Sequence, residues 1–307
     1  MNGDYAIRAT VGGGRAVAFL ARTAETVSRA TEIHQAAPAA AAALGRLLTA
    51  AALLCMPLKN DSDLVTLIVS GDGPAGKITA TGNRRLQVKG DIQNPAANPP
   101  PRPDGKLDAV GRGYITVIKD LGLKEPYSGR AALVSGEIAE DLAHYLTVSE
   151  QIPSAVGLGV LMENGSARAA GGFLLQAMPS LGVESSELVL SQIFTRVQKL
   201  RNITDFYGSG KTPEDLAAFL FDGLDCSVSG RLPITYYCGC TRERMERSLL
   251  SLGKAEILKI IDEDGGAVLH CHFCGTDYAF TKDDLLNISA ENTSPNSPPS
   301  ASAPPPP

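Results

Sequence analysis

The sequence predicts an α+β protein in three successive parts: an N-terminal mixed α/β domain over 1–180, a helical linker over 181–230, and a small C-terminal four-cysteine zinc domain over 231–288. Three observations carry this reading. The first part interleaves alternating apolar stretches with helical ones, and the second has helical periodicity but no core of its own. Four of the six cysteines stand as two close pairs, Cys238-Gly-Cys240 and Cys271-His-Phe-Cys274, with 30 residues between them. With 307 residues and 44% hydrophobic composition, the chain is long enough to bury a sizeable core and to form about two domains.

Residues 5–11 alternate as a strand, Gly12 to Gly14 makes a turn, and 16–20 returns as the hairpin partner. A helix follows over 23–34, and a second is opened by Pro38 and ended by Pro57. The Ala- and Leu-rich stretch 36–58 imitates a membrane span. Arg46 near its centre would cost about 2.5 to 3.5 kcal/mol in a bilayer, and alanine contributes little to insertion, so buried soluble core is expected instead. Short strands come next over 64–70, 77–81, 86–88 and 114–119, with the proline-rich stretch 94–103 a loop. Ser135 is the expected N-cap of a helix ending near Val148, with Glu137 and Glu140 in the first turns where the helix dipole favours negative charge. Apolar runs over 155–162 and 167–178 form a hairpin through Asn164-Gly165, the dipeptide best suited to a primed turn.

In the linker, Leu190, Ile193, Val197 and Leu200 recur on one face of a helix over 185–200. Thr212-Pro213-Glu214-Asp215 opens another helix by its cap, first-turn proline and acidic residues. Such helices must borrow apolar contacts from the preceding domain, which makes their docking reversible. Between the cysteine pairs, 241–261 reads as helical. From 289 to 307 the chain is mostly Ser, Pro, Ala and Asn, with seven prolines in 19 residues, and is expected to be a disordered tail.

Two thiolates from each of two short loops can close a tetrahedron around zinc. An apparent binding energy of roughly 10 to 16 kcal/mol can make metal binding and local folding one event. The same thiolates are oxidisable, and disulfide formation would expel the metal. Spacing leaves open whether Cys238, Cys240, Cys271 and Cys274 form a staple or a switch. His270 and His272 flank Cys271, but four thiolates already fill a tetrahedral site. Cys55 reads as a buried inert residue, and Cys226 as packing or a stray thiol. Thioredoxin-like use of Cys271 and Cys274 would need a βαβ unit that the surrounding sequence lacks.

A net charge of −5 and no dense Lys/Arg cluster argue against nucleic acid as a partner. Residues 1–11 carry charges and no apolar core of signal-peptide length, so a reducing cytoplasm is expected. Gly71-Asp-Gly73-Pro-Ala-Gly76 fits a dinucleotide pattern with Asp91 beyond it, but Pro74 and the alternating residues that follow read as a turn into another strand. No nucleophile elbow, metalloprotease helix or phosphate loop is present. His34 and His144 read as surface or satisfied core positions, and Asp205, Glu214 and Asp222 as scattered acids, so no catalytic residue is expected.

The segments 43–52 (Ala-Leu-Gly-Arg-Leu-Leu-Thr-Ala-Ala-Ala), 149–154 (Ser-Glu-Gln-Ile-Pro-Ser), 170–173 (Ala-Gly-Gly-Phe) and 238–244 (Cys-Gly-Cys-Thr-Arg-Glu-Arg), closing with Cys271-His-Phe-Cys274, resemble the 33 kDa chaperonin family, the redox-switched heat-shock chaperones of bacteria. Order and spacing match from about Tyr5 to Asn287, whereas the Pro-rich tail and Cys226 fall outside the pattern. The resemblance implies an ATP-independent holdase, inactive when reduced and zinc-bound. It implies that oxidation to two disulfides releases zinc, unfolds the module with its linker, and exposes surface that binds unfolding clients and supports a homodimer. Expected pairs are Cys238 with Cys240 and Cys271 with Cys274. The rival reading is a constitutive zinc-ribbon protein with a purely structural metal. Such modules usually carry a basic face, whereas Glu243, Glu246, Glu256, Asp262, Glu263 and Asp264 place acids here.

Overall fold

The computed structural model describes residues 3–103, 106–178, 183–200 and 202–291. Two compact units divide between Cys238 and Gly239. The first opens with the expected hairpin, β1 (Tyr5–Val11) and β2 (Ala16–Arg22), turned by three glycines at positive φ. Two helices follow, α1 (Ala24–His34) and α2 (Pro38–Cys55). Then come β3 (Leu64–Gly71), β4 (Lys77–Asn83), β5 (Gln87–Ile92), β6 (Gly113–Asp120) and β7 (Tyr127–Ala132). Helix α3 (Ile138–Val148) leads to β8 (Ser154–Glu163) and β9 (Ser166–Ala177), whose turn places Asn164 and Gly165 at φ 51° and 79°. Both signs are those a primed two-residue turn demands. Three more helices, α4 (Val183–Lys199), α5 (Ile203–Gly208) and α6 (Pro213–Leu220), precede β10 (Cys226–Pro233) and the two-residue β11 (Thr235–Tyr236).

The strands form two sheets, ordered β10-β1-β2-β9-β8 and β11-β5-β4-β3-β6-β7, in which only the β11–β5 pair is parallel. Helix α2 touches both sheets, meeting β3, β4 and β5 of one and β2, β8 and β9 of the other. Every residue of α2 is buried except Pro38 and Arg46, which is why it is apolar on all sides. Small residues let neighbouring elements approach α2: a Cβ on Gly45 would lie 2.6 Å from Val27 Cγ1 of α1, and one on Gly82 of β4 would lie 2.8 Å from Cys55 Sγ. Arg46 is accommodated by Glu137, 2.9 Å away. Alone among the described helices α2 has the length and hydropathy to cross a membrane, and 89% of that window is buried in the protein.

Helices α4, α5 and α6 cover the outer face of the first sheet. Val189, Ile193, Ile203, Phe206, Tyr207, Leu216, Ala217 and Leu220 are buried in one cluster with Tyr5, Ile7, Ala9, Val11, Leu20 and Phe173 of the strands. The Leu190 side chain lies outside the described set. Thr212 begins α6 with a capping box closed by Asp215, as its sequence signature predicts.

The second unit contains α7 (Arg242–Leu250), α8 (Lys254–Asp264), the hairpin β12 (Gly266–His270) and β13 (Asp277–Thr281), and α9 (Lys282–Glu291). Its own core is small: Leu249, Ile257, Ile261, Phe280, Leu285 and Ile288.

Several expectations are corrected. Ser135 does not cap α3; Gly136 at φ 77° turns the chain away, and the Ser135 hydroxyl accepts from Glu137 N–H while Asp141 accepts from Val134 and Ser135 N–H. The helical stretch 241–261 breaks before Gly253, at φ 85°. Residues 226–233, placed by sequence at the linker–module junction, pair with β1 as a strand. Helix α9 takes in Ser289, Ala290 and Glu291, and the rest of the tail, 292–307, lies outside the described residues.

Glu137→Ala should leave the Arg46 guanidinium in a site only 18% exposed with its carboxylate removed, and lower stability by about 3 kcal/mol. A urea midpoint equal to that of the parent protein would show that the pair contributes nothing.

Candidate metal centre

Short connections at the ends of β11, α7 and β12 carry the four sulfurs. Cys238 follows β11, and Cys240 precedes Thr241, whose hydroxyl caps α7 by accepting from Arg244 N–H. Cys271 leaves β12, and the chain folds back at once: Cys274 N–H and Gly275 N–H both donate to Cys271 O, at 3.2 and 2.8 Å. Gly275 adopts φ 70°, and Cys271 N–H donates to Thr276 O at 2.9 Å, closing the turn into β13. Arg242 ties the helix to this hairpin, donating to Ala279 O at 2.7 Å and to Asp284 at 3.0 Å while lying over the Phe280 ring.

The four Sγ atoms all lie within 4.8 Å of one another, with Cys240 and Cys274 at 3.2 Å. Sulfurs about 2.3 Å from a tetrahedral ion stand about 3.8 Å apart, so this set fits a single four-coordinate metal ion. Burial pushes the Cys274 thiol up, but contacts with Thr276, Cys240 and Cys271 outweigh it and bring the pKa down to about 7. A thiolate, the form a metal requires, is therefore accessible at neutral pH. Two neighbours that sequence reasoning missed support the sulfurs. The Tyr278 hydroxyl lies 3.2 Å from Cys240 Sγ and donates to Cys240 O, and its pKa is pushed up to about 12, chiefly by that sulfur. Thr276 Oγ1 lies 3.2 Å from Cys274 Sγ. Their only sequence signal is their place just after the second cysteine pair.

The other candidates fall elsewhere. His270 pairs with Asp277 at 2.6 Å and stacks edge-on against His272, outside the sulfur cluster. Burial pushes the Cys55 thiol up to about 12. Cys226 is half-buried against the cluster beneath α4–α6, its pKa raised by burial and by Asp225. Asp205 bonds Asn202, Glu214 accepts from the Tyr5 hydroxyl at 2.6 Å, and Asp222 pairs with Arg196 at 2.8 Å. His34 Nε2 lies 2.9 Å from Gly90 O. The glycines 71–76 form the β3–β4 connection, with no helix after them.

Residues 4–281 match the model of the family described as Hsp33 protein. The chain belongs to the Hsp33 family. It is 43% identical over 293 residues to the 33 kDa chaperonin of Ruminiclostridium cellulolyticum, covering 94% of this chain and 99% of that one. Against the 33 kDa chaperonin of Caldanaerobacter subterraneus subsp. tengcongensis it is 44% identical over 294 residues, covering 94% and 99%. The crystal structure of the Hsp33 homologue of Thermotoga maritima matches with a TM-score of 0.83 at 32% identity, over 94% of this chain and 98% of that one. Membership in the Hsp33 family supports a chaperone function and the binding of client proteins.

Tyr278→Phe should weaken metal retention about tenfold in a chelator competition, because groups supporting metal ligands carry that much affinity. Unchanged retention would assign the hydroxyl no part in holding the site.

Proposed function

We propose that this chain is an ATP-independent, redox-regulated holdase of the cytoplasm. Cys238, Cys240, Cys271 and Cys274 hold zinc in the reduced, inactive protein. Zinc, when bound, supplies a structural staple for a unit whose core is only six residues. The division into an α/β core over 1–180, a responsive linker over 181–230 and a redox module over 231–288 belongs to this proposal.

Its chemistry balances. Each pair of thiolates reduces one hydrogen peroxide, forming one S–S bond as the O–O bond breaks and two hydroxides leave. Disulfides are poor donors, so retention of the metal is lost with the thiolates. Proximity does not select the pairing, since the Cys240 and Cys274 sulfurs are 3.2 Å apart. The pairing proposed, Cys238 with Cys240 and Cys271 with Cys274, is the one that goes with the family resemblance.

The observation that carries the reading is the dependence of α4, α5 and α6 on the first sheet, where their buried residues and those of the strands form one cluster. Each fully buried Leu, Ile or Phe in it stabilises docking by about 1.5 to 3 kcal/mol. Undocking would bare Tyr5, Ile7, Val11, Leu20 and Phe173 as a continuous apolar face for unfolding clients and for a second copy of the chain. A constitutive structural zinc protein would keep that face covered under every redox condition. Nucleic acid and membrane are not partners in this proposal.

The test is light scattering from a heat-unfolding client mixed with protein that is either reduced and zinc-loaded or treated with peroxide under mild heating. Suppression by the oxidised sample alone, with zinc released, is expected; equal suppression in both, or none, contradicts the proposal. Disulfide mapping of the active form should give no cross-motif pairs. Cys271→Ser should weaken zinc retention and make the linker protease-sensitive without oxidant, and unchanged values for both would contradict its role. Cys226 provides an internal reporter: iodoacetamide should modify it much faster after oxidation, while Cys55 inside α2 stays protected. Equal Cys226 reactivity before and after would mean that the linker stays docked.

A further inference from the structure

The segment that leads into the metal centre is itself seated as a strand. Thr235 and Tyr236 pair in parallel with Gln87 and Val88, the only parallel pairing among the described strands. Thr235 N–H donates to Leu86 O at 3.2 Å and Tyr237 N–H to Val88 O at 2.9 Å. The side chains alternate as an extended segment requires. Ile234 is 4% exposed within the main core, and Tyr236 packs against that core with its hydroxyl donating to Gly90 O at 3.0 Å. Thr235 and Tyr237 face outward.

Leu86, at φ 53° with its side chain fully buried, closes the β4–β5 turn by donating its N–H to Asn83 O at 3.0 Å, and from that turn its carbonyl accepts from Thr235 N–H. A two-residue ladder is too short to hold by itself. It depends on its flanks: β10 before it, and Cys238 immediately after Tyr237.

We propose that the open edge of β5 is a second client seat, closed in the reduced protein by Ile234–Tyr237, and that it takes an extended client segment with apolar or aromatic residues two positions apart. The inference rests on the proposed release of Cys238 from its metal. Once the segment lifts, Leu86 O and Val88 O lose their donors and the recess filled by Ile234 and Tyr236 opens. An extended chain satisfies both needs by strand addition; a helix, whose N–H groups are used internally, satisfies neither. The seat thus selects stretches of an unfolding protein that have lost their own strand partners.

The probe is a fluorescein-labelled peptide of residues 231–237 (Arg-Leu-Pro-Ile-Thr-Tyr-Tyr), titrated into the full chain and followed by anisotropy. Saturable binding to the oxidised protein, at least about tenfold tighter than to the reduced metal-loaded protein, is expected. N-methylation at the residue matching Tyr237 should weaken it about tenfold by removing one buried backbone donor. A benzophenone at the position of Tyr236 should cross-link to 87–92 or His34. Equal binding to both redox forms, insensitivity to N-methylation, or cross-links confined to the outer face of the first sheet would overturn the seat while leaving the holdase reading intact. If the oxidised protein neither releases metal nor holds clients, the holdase reading fails instead. The reduced Ile234→Ser/Tyr236→Ser double variant then decides the seat alone: peptide binding without oxidant supports it, and none refutes it.

Discussion

Helices α4, α5 and α6 have apolar sides and a single receptor for them, the outer face of the five-stranded sheet. That dependence organises the molecule. The sheet's inner face is already covered by α2, a buried helix that also meets β3, β4 and β5 of the other sheet. Removing the helices would therefore expose one apolar layer and leave the other, with the rest of the core, in place. A chaperone needs that combination: a surface that can be bared and a scaffold that survives the baring.

The second unit supplies the complementary weakness. Six buried apolar residues are a small core for five secondary-structure elements, so a metal ion held by the four sulfurs would add a large share of its stability. Cys240 and Cys274 come from different motifs yet lie 3.2 Å apart, close enough to share one metal ion. Between α6 and Cys238 the chain contributes two edge strands, β10 on one sheet and β11 on the other. Of the two, β11 has the slighter hold, two paired residues against seven for β10.

Much of this is legible in the sequence because the signals are local. Asn164-Gly165, Thr212 with Asp215, and Pro38 each dictate geometry within a few residues, and each is found where expected. Long-range determinants are not legible. Strand β10 alternates over Cys226, Val228 and Leu232, but Gly230 and Pro233 interrupt the signal and the strand is exposed along nearly its whole length, so its partner β1 identifies it. Strand β11 is two residues long, and Leu86 looks like any apolar residue until its φ is known. Ser135 carries the residue type of a cap, but Gly136 redirects the backbone before the helix starts. Tyr278 and Thr276 become supports of the sulfurs only when the β12–β13 hairpin folds them back.

Hydrogen–deuterium exchange, read peptide by peptide alongside released zinc, tests the coupling between sulfurs and linker most directly. Oxidation should release the metal and strip protection from α5, α6, β10 and the amides of Thr235 and Tyr237, while α2 remains protected. Metal release with α5 and α6 still protected would contradict the account, because the sulfur centre would then be a staple for its own unit and nothing more.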